Sequence, residues 1–140
     1  MDTLGNVTLM SSSVTYQDLA SPHYGQSWTR SVDTGYSADQ TNWCLSLPTS
    51  RTETRGVPGQ PSESRSASWA VSGPLCRITQ ETLAPGQGST LSQVTDLGYD
   101  SCGNVDSVSS YPARQPTLAR TTTIDYGSRC QRPETITNPL

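Results

Sequence analysis

Tyr99-Asp100-Ser101-Cys102-Gly103-Asn104-Val105 is the stretch whose reading decides the fold. An Asp that opens a type I turn accepts hydrogen bonds from N–H groups two residues on. A Gly at the fourth position takes a positive φ and permits the bulge that rejoins a hairpin. The aromatic before Asp100 is placed to pack on a sheet, and Val105 starts the return strand. A near copy occupies Met1-Asp2-Thr3-Leu4-Gly5-Asn6-Val7, and the two share Asp-x-x-Gly-Asn-Val. One Asp-x-x-Gly is commonplace; two copies of the longer string point to a repeated hairpin. A decayed third version stands at Ile124-Asp125-Tyr126-Gly127, where Gly follows Asp by two places instead of three. Asp2, Gly5, Asn6, Tyr99, Asp100, Gly103 and Asn104 are therefore the expected turn-forming residues.

Outward from these turns the chain reads as short Thr-, Val- and aromatic-rich runs broken by turn residues. The expected strands are 6–12, 26–32, 41–47, 50–55, 65–71, 76–82, 91–99, 105–110, 120–126 and 134–137. Period-two alternation sets Thr95, Leu97 and Tyr99 on one face and Val94 and Asp96 on the other. Thr122, Ile124 and Tyr126 likewise share a face. Pro- and Gly-rich loops are expected near 56–64, at Ser72-Gly73-Pro74 and near 84–89. The single helical candidate is one turn at Tyr16–Ala20, halted by Pro22. The expectation is an all-β antiparallel meander of hairpins over one region, 1–140, with repeat turns near 1–8 and 99–105 and a decayed copy near 124–137.

Composition sharpens this. Leu, Ile and Val make up 22 of the 140 residues and there is no Phe, whereas Ser and Thr make up 40. So little aliphatic surface is a poor match for ordering entropy of ~1–2 kcal/mol per residue. Thr suits a pleated strand, so a thin sheet is feasible, provided that neighbouring sheet covers it. The alternative is a partly unfolded chain. No apolar run is long enough to span a membrane. The nine basic residues, all Arg, against twelve acidic ones leave no nucleic-acid footprint. Met1–Gly5 has no basic segment followed by an apolar one, so no secretory signal is expected there.

Tyr99-Asp100-x-x-Gly103-Asn104 resembles the YD repeat of bacterial RHS and YD-repeat proteins. Gly5-Asn6-Val7-Thr8, 41–49, Leu97-Gly98-Tyr99-Asp100, 119–123 and 133–140 are similar to the wider context of that family. Met1 stands where the first copy would need Tyr, and Cys102 stands where an aromatic is frequent. The resemblance implies β-hairpin ribbons that spiral into hollow shells of secreted or cell-surface toxins, some described as carbohydrate-binding. It also implies that these 140 residues are a slice of a longer array, whose partners are neighbouring repeats.

No catalytic constellation is legible, so no enzymatic activity is expected. There is no nucleophile elbow and no Lys for a phosphate loop. The one histidine, His23, lies in a loop by composition. Cys44, Cys76, Cys102 and Cys130 lack the close pairs of a zinc site. They allow three disulfide connectivities or free thiols; the favoured bridge is Cys44–Cys76, each beside an apolar run. Neither a metal nor another cofactor is expected. Trp28, Trp43 and Trp69 are read first as sheet packing and second as platforms for sugar rings. Three functions follow: a non-catalytic structural repeat segment, a carbohydrate- or cell-surface-binding module, or a truncated, largely disordered product.

Overall fold

The computed structural model describes residues 1–85 and 91–139, and among these the regular structure is all β apart from two 3-10 turns. The chain divides into two compact units, Met1–Ala67 and Ser68–Leu140. In the first, β1 (Leu9–Thr15), β2 (Ser27–Asp39) and β3 (Cys44–Gly56) pair in chain order, each antiparallel to the last. β4 (Glu63–Ser72) begins in this unit and ends in the second. There β5 (Arg77–Leu83), β6 (Gln93–Tyr99), β7 (Val105–Pro112), β8 (Arg120–Asp125) and β9 (Thr135–Thr137) pair in chain order, each antiparallel to the last. The 3-10 turns span Pro116–Leu118 and Gly127–Arg129.

The aliphatic shortage leaves a thin core. Val32, Cys44 and Val94 are the only buried apolar residues among those described, and no side chain there is fully enclosed. Hydroxyls take the place of hydrocarbon between strands. Thr15 and Ser27 meet at 2.6 Å, Thr95 and Ser110 at 3.0 Å, and Ser109 and Thr121 at 2.9 Å. Cross-strand pairs of this kind contribute ~0.2–1 kcal/mol each. The expected alternation holds, with Val94 and Asp96 on one face of β6 and Thr95, Leu97 and Tyr99 on the other. Asp96 there accepts from Gln80 Nε2 and from the Tyr111 hydroxyl, both at 2.8 Å. That bond to Asp96 and burial together raise the Tyr111 pKa above its ordinary value.

Three expectations are corrected. Residues 44–47 and 50–55 belong to one strand, β3, because the register slips between Gly35 and Tyr36, while 41–43, expected in the same strand as 44–47, lie in the turn before it. Gly35 faces Ser50 and Tyr36 faces Pro48, so Thr49 is the extra residue of a bulge that accommodates the proline. The first strand starts at Leu9 and not at Asn6, because Asn6 is held in the preceding turn. Tyr16–Ala20 is not helical. Asp18 Oδ1 accepts the Ala20 N–H at 2.9 Å, offering the backbone a local alternative to a helix, and Tyr16 N–H bonds to Gln26 O at 3.0 Å. The loop near 56–64 closes through Gln60 N–H to Val57 O at 3.1 Å. Most of the loop expected near 84–89 lies outside the described residues.

Candidate functional site: the aspartate-clamped turns

Asp100 Oδ1 accepts the backbone N–H groups of Cys102 (2.9 Å) and Asn104 (2.8 Å), while Oδ2 accepts from Asn104 Nδ2 at 3.1 Å. Asp2 repeats the pattern atom for atom. Its Oδ1 takes the N–H groups of Leu4 and Asn6, both at 2.9 Å, and its Oδ2 takes Asn6 Nδ2 at 2.8 Å. The backbone bonds also match: Gly N–H to Asp O at 3.2 and 3.1 Å, and Asp N–H to Asn O at 3.0 Å in both turns. Gly5 (φ 85°) and Gly103 (φ 98°) supply the left-handed residue that closes each loop. Beyond its own turn each Asn has a second acceptor. Asn6 Nδ2 is 3.4 Å from Leu45 O, and Asn104 Nδ2 is 3.0 Å from Cys130 O.

The electrostatics follow from these donors. The bond from the Asn6 side chain holds the Asp2 carboxyl below its ordinary value. Burial pushes Asp100 upward, but the donors of Asn104 and the N–H groups of Gly103 and Cys102 together outweigh it and lower its pKa. Tyr99, the aromatic of the motif, donates from its hydroxyl to Ile78 O at 2.7 Å, and the Arg77 guanidinium stacks 5.0 Å from its ring centroid. Arg77 also covers Gly103, where a Cβ would run into its guanidinium.

Asp39 makes a third clamp that sequence reading missed. It accepts the N–H groups of Thr41 (3.0 Å) and Asn42 (3.2 Å) and the Asn42 side-chain amide (2.7 Å), and that amide lowers its pKa. Asn stands where the motif has Gly, and the positive φ falls one place later, on Trp43 at 57°. The available signal was Asp followed three places on by Asn. The decayed copy retains one contact, Gly127 N–H to Asp125 Oδ1 at 2.8 Å. Its strands then rejoin only at Asp125–Thr135.

Cys102 and Cys130 form a disulfide with a Cα–Cα separation of 6.2 Å. Cys44 and Cys76 are disulfide-bonded as well, and no cysteine is free, which removes the free-thiol alternative. Asp100 lies beside the sulfurs of Cys102 and Cys130, but bonded to each other they offer no thiolate to a metal. The tryptophans separate into three settings. Trp69 donates from Nε1 to Glu81 Oε1 at 3.0 Å. Trp28 sits 6.0 Å from the rings of both Tyr16 and His23, and His23 Nδ1 is 3.2 Å from Gln26 Oε1. Trp43, at the tip of the β2–β3 hairpin, is 81% exposed. A charge cluster unforeseen from sequence centres on Glu53, whose Oε1 is 2.8 Å from Nε of both Arg30 and Arg55, with Arg51 at 3.9 Å. The bonds from Arg30 and then Arg55 hold its carboxyl down at about 2.

No family model matches this chain, and comparison with curated proteins and with solved structures likewise finds no match. No helix among the described residues is long and apolar enough to cross a membrane.

Proposed function

We propose that the chain is a non-catalytic structural segment of the RHS/YD-repeat kind, a run of hairpins whose sparse core is completed by neighbouring repeats in a secreted or cell-surface shell. The observation that carries this reading is the atom-for-atom match of the Asp2–Asn6 and Asp100–Asn104 clamps, the same device for reversing the chain used twice. Disulfide-bonded cysteines suit an oxidising compartment. The test is an immunoblot of source cells with an antibody raised against these residues, together with the flanking coding sequence. A species much larger than 15.0 kDa, with further Tyr-Asp-x-x-Gly repeats in frame, supports the reading. A 15.0 kDa band with no flanking repeats removes it.

A second reading, a carbohydrate- or surface-binding module, rests on the exposed ring of Trp43 and the Tyr16–His23–Trp28 cluster. Exposed rings suit the apolar faces of sugars. Glycan-array binding that disappears in Trp43→Ala or Trp28→Ala would support this module; no binding to any glycan would remove it.

A further inference from the structure

Among the described residues β1 has a strand partner on one side, and its sequence makes the other side self-complementary. Among the described residues the strand pairs only with β2, in an unbroken register from Leu9↔Asp33 to Thr15↔Ser27. The bonds that flank this ladder, Thr34 N–H to Thr8 O and Tyr16 N–H to Gln26 O, both involve even-numbered residues on the β1 side. Antiparallel pairing alternates, so Met10, Ser12 and Val14 direct their N–H and C=O groups at β2. Those of Leu9, Ser11, Ser13 and Thr15 point to the open side. All seven residues of β1 are exposed.

Edge strands are ordinarily blunted by charge, proline, a bulge or shortness. β9 fits that rule, being three residues long and flanked by Pro133 and Pro139. β1, with sequence Leu-Met-Ser-Ser-Ser-Val-Thr, has none of these devices.

We propose that β1 pairs with β1 of a second copy of this chain, antiparallel about a two-fold axis at Ser12. In that register Leu9 faces the second Thr15 and Ser11 faces the second Ser13, so every outward N–H and C=O is taken up. On the other face Met10, 53% exposed, meets the second Val14, 67% exposed, apolar against apolar. No charged residue is brought into the ladder. Moving the axis to Ser11 or Ser13 shortens the ladder and sets Met10 or Val14 opposite Ser12. The occupant is thus a second copy, because the strand reads as its own complement.

Sedimentation velocity of the full chain over a concentration series is expected to show the mass rising from 15.0 kDa towards twice that value. Ser13→Pro removes an outward N–H and no bond to β2, so it is expected to stay monomeric with an unchanged circular dichroism spectrum. The register is read by single cysteines, which are the only thiols in a chain with none free. Residue 12 faces its own copy as a non-hydrogen-bonded pair with Cα atoms ~4.5 Å apart, within disulfide reach. Residue 11 and its copy are diagonal neighbours at ~7–8 Å, outside it. Ser12→Cys is expected to give a reducible covalent dimer under mild oxidation, and Ser11→Cys to associate like the wild type but without a covalent cross-link. A wild-type chain that is monomeric at every concentration, or equal cross-linking of both variants, overturns the proposal.

Discussion

The side-chain amide of Asn104 donates to the carbonyl of Cys130 at 3.0 Å, and Cys130 is bonded through sulfur to Cys102 inside the turn that Asn104 closes. The Asp100 turn is therefore fastened to the 126–134 connection by a covalent bond and a hydrogen bond. Among the described residues the Asp2 turn has only the 3.4 Å contact from Asn6 to Leu45 O for that purpose. Two turns alike in their internal bonding thus differ in how firmly they are tied to the strands around them.

Asn104→Ala is expected to destabilise the second unit by ~1–3 kcal/mol, since it removes one bond to a carboxylate and leaves the Cys130 carbonyl without that donor. Asn6→Ala should cost less, because its outer contact is longer. Urea unfolding of the two variants, read as midpoint shifts, checks the order.

Gly103→Val should be worse tolerated than Gly5→Val. Both glycines have positive φ, and forcing a β-branched residue into that region costs ~1–2 kcal/mol or more. At Gly5 a Cβ meets nothing within 4 Å, whereas at Gly103 it strikes the Arg77 guanidinium, which would have to leave the Tyr99 ring. Loss of β signal by circular dichroism is expected for Gly103→Val, with a smaller fall in thermal midpoint for Gly5→Val.

What could be read in the sequence was what is decided within a few residues. The Asp-x-x-Gly spacing implied the bond that Asp2 and Asp100 each accept from the N–H two residues on, whereas the bonds from Asn6 and Asn104, four residues on, are visible only in the folded turn. The Asp39 clamp escaped notice because Asn42 occupies the Gly position and the left-handed residue is Trp43, a poor sequence marker for positive φ. The separation expected between strands 41–47 and 50–55 is absent because a bulge absorbs Pro48, and that bulge depends on which residue faces Gly35. The Glu53 cluster needed the same knowledge of register, because Arg30 lies 23 positions away and reaches it only when β2 and β3 align. Cys102–Cys130 needed the path of the loop after β8, which no local pattern encodes.

Removing the Cys102–Cys130 bridge by paired Ser substitutions should lower stability by ~3–4 kcal/mol, the loop-closure contribution for a separation of 28 residues. Asn104→Ala in that background should cost more than in the native chain, because the hydrogen bond is then the remaining tie to Cys130. Alkylation under denaturing, non-reducing conditions should label no cysteine in the native chain. A double-mutant cycle by chemical denaturation measures the coupling.

Acid should weaken the first unit through Glu53. Its carboxyl titrates at about 2 in the folded chain against an ordinary 4.5, so the folded state holds the charged form more tightly than the unfolded state does. A depressed carboxylate contributes stability that is fully present above the unfolded value and is lost as pH falls through the folded one. The window therefore runs from about 4.5 down to about 2. Protonation also leaves Arg30 and Arg55, which face each other directly across β2 and β3, without the carboxylate between them. Glu53→Gln should accordingly lower the thermal midpoint at neutral pH and flatten its fall across that window. Some slope should survive, because Asp2, Asp39 and Asp100 are also held below their ordinary values. All these groups are solvent-accessible, so added salt should shrink the difference between wild type and Glu53→Gln. Thermal melts over a pH series at low and high ionic strength test this, and an unchanged acid slope in Glu53→Gln would show that the arginine cluster contributes nothing.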